Sequence, residues 1–81
     1  MDQVAKRDLE EVMEFDPEEG ILDLEMHLDR LKTQADSLGY DFDRHSARNE
    51  LQAATFGNRA SGKARLLVSP SGAMAIELIR A

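Results

Sequence analysis

Apolar side chains recur at Ile21, Leu24, Leu28, Leu31, Ala35 and Leu38, at spacings of 3 and 4 residues that place them on one face of an α-helix. The opposite face carries Asp23, Glu25, Asp29, Arg30, Lys32 and Asp36, as expected of a helix with one side in water. Asp16-Pro17-Glu18-Glu19 offers a cap, a proline suited to the first helical position and a capping-box glutamate, and Gly39 offers a stop. A helix is therefore predicted over about 17–38, with Gly20 weakening its first turn by about 1 kcal/mol relative to alanine.

Upstream, Leu9, Val12 and Met13, with Ala5 one turn earlier, predict a short amphipathic helix over about 3–15. Downstream, Tyr40-Asp41-Phe42-Asp43 alternates apolar and acidic residues, and its two aromatics are expected to cover a core edge. Asp43 or Ser46 caps a third helix over about 44–56, whose narrow apolar side is Ala47, Leu51 and Ala54 and whose stop is Gly57. Residues 64–69 and 73–80 are rich in Leu, Val and Ile around Ser69-Pro70-Ser71-Gly72, which suits a type I turn and predicts a β-hairpin. Leu66 and Val68 then share a face with Met74, Ile76 and Leu78, and that face must pack on the helices because a lone hairpin is marginal. The predicted fold is α+β: two to three N-terminal helices on a C-terminal antiparallel hairpin, in one domain spanning residues 1–81.

Composition fits such a domain. At 81 residues and 42% apolar side chains there is material for one modest core, and the 32% charged residues read as surface. The absence of cysteine excludes a disulfide framework, a thiolate zinc site and a cysteine nucleophile. Met1-Asp2-Gln3 lacks the basic and apolar regions of a signal peptide, and no apolar run approaches the roughly 18 residues of a membrane span, so the expected location is cytoplasmic.

Charge is uneven. Residues 1–41 hold 13 acidic and 4 basic side chains, whereas residues 42–81 hold 3 and 6, giving −9 and +3 within the net −6. An acidic half repels phosphate and favours a basic protein surface.

Gly57-Asn58-Arg59-Ala60-Ser61-Gly62-Lys63 matches the glycine and lysine spacing of a phosphate-binding loop, but Ala64 stands where that loop needs Ser or Thr, and the predicted elements run helix to strand instead of strand to helix. The segment is read as a glycine-punctuated connection. His27 and His45 lack a third convergent ligand, so both are read as surface histidines and no metal or cofactor is expected. The carboxylates of the first half have no obvious apolar surroundings to shift a pKa, and Ser46, Ser61, Ser69 and Ser71 have no placed base, so no catalytic residue is assigned.

What remains is binding. The acidic reading assigns Glu18, Glu19, Asp23, Glu25, Asp29 and Asp36 as contacts to the basic surface of another protein, one that handles nucleic acid, with carboxylates standing in for phosphates. That describes a non-enzymatic inhibitor, like the anti-CRISPR proteins phages direct at bacterial defence systems, or an antitoxin-like regulator. The first alternative uses the basic segment 44–65, with Arg44, Arg48, Arg59, Lys63 and Arg65, as a nucleic-acid-binding regulator. In element order alone, a basic helix followed by a hairpin resembles the recognition helix and wing of winged-helix DNA binders. The second alternative is a structural homodimer through the Leu24, Leu28 and Leu31 stripe.

Overall fold

The computed structural model describes residues 7–80. Two strands, β1 (Leu9–Asp16) and β2 (Gly20–Ile21), precede two helices, α1 (Leu24–Leu38) and α2 (Arg44–Thr55), and two strands, β3 (Gly62–Val68) and β4 (Met74–Arg80), follow them. All four strands form one antiparallel sheet in the order β2-β1-β3-β4. The expected arrangement of N-terminal helices on a C-terminal hairpin is thus corrected, since half the sheet comes from the segment assigned to helices.

The error has a local cause. Leu9, Val12 and Met13 fit a helical period, but the parity that decides is Leu9, Glu11, Met13 and Phe15, all of which turn towards the helices. Glu11 breaks the apolar alternation at its centre, and so hides the strand from a hydrophobicity pattern. The part of the predicted helix before residue 7 lies outside the described residues.

The supposed start of the long helix is instead the turn of the β1–β2 hairpin. The Asp16 carboxylate does accept from two backbone groups, the N–H of Glu18 at 2.9 Å and of Glu19 at 2.8 Å, but these belong to an Asx-type turn. Gly20, at φ +86°, then reverses the chain. Helix α1 begins only at Leu24, after Asp23 in the left-handed region and without a side-chain cap.

The rest follows local chemistry. At the end of α1, Gly39 (φ +74°) sends its N–H to Asp36 C=O while Tyr40 N–H reaches Ala35 C=O at 2.8 Å, a Schellman stop. Asp43 caps α2, its Oδ1 accepting from His45 N–H at 2.9 Å and Ser46 N–H at 3.1 Å. In the β3–β4 turn, Gly72 N–H donates to Ser69 C=O and Ser69 N–H to Ala73 C=O.

The helices cover one face of the sheet. Met13, Ala64, Leu66 and Val68 meet Leu28, Leu31, Ala35, Ala47 and Leu51 in the core, with Tyr40 and Phe42 closing one side. Cross-strand register places Met74, Ile76 and Leu78 beside Val68, Leu66 and Ala64 on the same face. Leu28 and Leu31 are fully buried and Leu24 packs partly buried against the same core, so the leucine stripe of α1 faces the sheet. The other face of the sheet presents Glu10, Glu14, Lys63, Arg65 and Glu77 to solvent, with Val12 and Ile79 between them. Among the described residues no helix is long and apolar enough to cross a membrane.

Candidate functional site

One end of the molecule gathers the β1–β2 turn, the loop leaving α2 and the last residues of β4. Helix α2 closes with Thr55, whose hydroxyl donates back to Leu51 C=O at 2.8 Å. Phe56 then leaves the helix with extended geometry (ψ 128°) and Gly57 turns the chain at φ +74°. Asn58 holds the loop, its N–H donating to Thr55 C=O at 3.1 Å and its Oδ1 accepting from Ala60 N–H at 3.3 Å.

This geometry drives Phe56 outward, to 88% exposure, whereas Phe15, Tyr40 and Phe42 are each at most 8% exposed. Beside it runs an open groove of about 480 Å³ whose walls include Pro17, Glu18, Glu19, Phe56 and Arg59, above the buried Phe15. A smaller cleft of about 230 Å³ shares Phe15 and Asn58 and continues towards Lys63, Leu78 and Arg80.

The acidic candidates separate into two groups. Glu25 accepts from Arg48 through Nε at 3.0 Å and Nη2 at 2.7 Å and also from Arg44, while Arg44 pairs in addition with Asp29. Hydrogen bonds from Arg48 and Arg44 hold the Glu25 carboxyl down at about 2. Asp36 pairs with Lys32 one turn away at 3.0 Å. Glu18, Glu19 and Asp23 have no ion-pair partner among the described residues, and the first two stand on the groove.

The basic candidates do not form one surface. Arg44 and Arg48 spend their charge on α1, Lys63 lies 3.8 Å from Glu14, and Arg65 sits on the open sheet face between Glu10 at 2.5 Å and Glu77 at 3.1 Å. Arg59 alone of the five has no ion-pair partner among the described residues, and it belongs to the same groove as Glu18 and Glu19.

Two features escaped sequence reasoning. Phe56 looked like the last turn of a helix, and nothing in the one-dimensional pattern distinguishes an aromatic aimed at solvent from one aimed at the core. The other is a polar cluster inside the fold. Glu11, only 9% exposed, contacts His27 Nδ1 through Oε1 at 2.6 Å and accepts from Arg30 Nε at 3.1 Å and Nη2 at 3.0 Å. Burial pushes the Glu11 carboxyl up, but the hydrogen bonds from Arg30 and His27 together outweigh it, leaving a net shift below the ordinary carboxylate value.

His27 is accordingly no surface histidine; its side chain is 12% exposed. His45 remains at the surface with Nδ1 3.2 Å from Arg48 Nη1. Among the described residues no group of three His, Asp or Glu side chains is placed to hold a metal ion. No protein-family model, curated protein or solved structure matches this chain.

Proposed function

We propose that this protein is a non-catalytic binding module that docks on a basic surface of another protein through the Phe56 groove. The observation carrying this reading is the exposure of Phe56. A large aromatic held by a structured loop beside a groove has the form of a binding anchor, and little else stabilises it there. Glu18 and Glu19 on the same groove, together with the net charge of −6, favour a cationic partner. Nucleic-acid-handling proteins own such surfaces, and occupying one would inhibit it. The contact set is Phe56, Glu18 and Glu19, with Asp23 nearby in sequence, in place of the helix face whose Glu25, Asp29 and Asp36 are already neutralised within the chain.

The test is affinity capture from the lysate of producing cells, at low and high salt and after nuclease treatment. The variants Phe56→Ser and Glu18→Lys/Glu19→Lys run in parallel. A protein retained after nuclease, weakened by salt and lost with either variant supports the proposal. Capture that is indifferent to both variants sinks it, and recovery of nucleic acid in place of protein moves the function to the arginines.

A further inference from the structure

We infer that the free edge of β4 pairs with β4 of a second copy, making an antiparallel homodimer with one continuous sheet. The turn bonds set the phase of the ladder. Since Ser69 turns its N–H and C=O towards β4, the alternation of strand backbone directs the groups of Leu67, Arg65 and Lys63 the same way, against Ala75, Glu77 and Ile79. The N–H and C=O groups of Met74, Ile76, Leu78 and Arg80 therefore face away from the sheet, at its last strand. This edge has no proline, lysine or bulge to blunt it, and Leu78 beside it is 42% exposed.

Self-complementarity selects the register. A two-fold axis normal to the sheet must keep each helix-side residue opposite another helix-side residue. Centring the axis on Glu77 sets this carboxylate against its own copy, and centring it on Leu78 sets Arg80 against the apolar Ile76 of the second copy. Centring it on Ala75 pairs only residues 74–76 of β4, whereas centring it on Ile76 pairs 74–78 and avoids both clashes. Ile76 then exchanges backbone hydrogen bonds with its own copy, Leu78 does so with the partner's Met74, and Glu77 meets the partner's Ala75.

In that register Arg80 runs two residues, roughly 7 Å, past the paired segment and arrives beside the partner's β3–β4 turn. Gly72 of that turn lies against Asp41, so close that a Cβ on Gly72 would fall 2.0 Å from Asp41 O. Arg80 and Asp41 each lack an ion-pair partner among the described residues, and the register brings them together twice. No residue of β4 lines the Phe56 groove, so this inference rests on other observations than the proposed function.

Sedimentation across concentrations up to about 1 mM, combined with amide exchange, tests it. A dimer is expected whose formation slows exchange at Ile76 and Leu78, the outward N–H groups, with little change at Ala75, Glu77 and Ile79. Arg80→Glu should weaken association on the order of tenfold, and Arg80→Glu/Asp41→Arg should restore it. Leu78→Pro removes an edge donor without touching the β3 ladder and should leave a folded monomer. A monomer at every concentration overturns the inference, as does a dimer whose Ile76 and Leu78 amides exchange no more slowly than in the monomer. Failure of the charge swap to restore association overturns the register.

Discussion

Glu11 is the residue on which the inner polar geometry turns. It is a carboxylate on the core face of β1, and Arg30 and His27 reach it from successive turns of α1, tying the first strand to the first helix. Replacing it with alanine would remove the shared acceptor of two side chains, at a cost of about 2–4 kcal/mol, measurable as a lower urea midpoint. Its folded pKa lies below 4.5, so its stabilisation is present above that value and is lost as pH falls through the lower folded value. Glu25 behaves in the same sense between 4.5 and about 2. Thermal midpoints should therefore fall between pH 5 and pH 2, and Glu11→Gln should flatten that decline while lowering the neutral-pH midpoint. Phe56 is the opposite case. Phe56→Ser should change unfolding free energy by no more than about 0.5 kcal/mol, because a side chain this exposed contributes little to the core.

At the level of elements, the joints between segments deserve the sharpest tests. The β3–β4 turn docks on the α1–α2 link through Asp41 N–H to Pro70 C=O at 3.2 Å and through the bare α-carbon of Gly72, held at φ +92°. Gly72→Ala combines a left-handed backbone with overlap against Asp41, so it should lose at least about 1–3 kcal/mol in denaturant unfolding. How much of this architecture could be read in advance varied by element. Helix α2 and the body of α1 were legible because Ala47-Leu51 and Leu28-Leu31-Ala35 keep their period, and because Asp43 and Gly39 act locally as cap and stop. The β3–β4 pair was legible from Pro70 and Gly72 within a run of branched residues. Strand β1 was not, because Glu11 occupies an inward position that only a partner distant in sequence can satisfy. The pairing on the acidic face of α1 was not legible for a similar reason. Arg44 and Arg48 follow Glu25 by about twenty residues, and their pairing exists only once α2 folds back over α1. Of the residues lining the groove, charge patterning marks Glu18 and Glu19, whereas periodicity places their neighbour Phe56 at a helix end.

For the molecule as a whole, the decisive contact is the seam between β1 and β3, where Leu9–Phe15 pairs with Gly62–Val68 across both helices. A fragment comprising residues 24–56 keeps α1 and α2 but loses the sheet that buries Leu28, Leu31 and Leu51, and should show little helical circular dichroism alone. The intact chain should unfold in one cooperative transition, with far-ultraviolet and tyrosine-fluorescence probes coinciding, because Tyr40 both packs in the core and donates its hydroxyl to Arg7 C=O at 2.5 Å. The seam also imposes an order in time. On a ribosome, β1 emerges first and must wait for β3, so the helices can only flicker while Met13 and Phe15 have no mate. The sheet cannot close until residues 62–68 clear the exit tunnel, so β1 waits through the synthesis of both helices and is the nascent segment in most need of a chaperone.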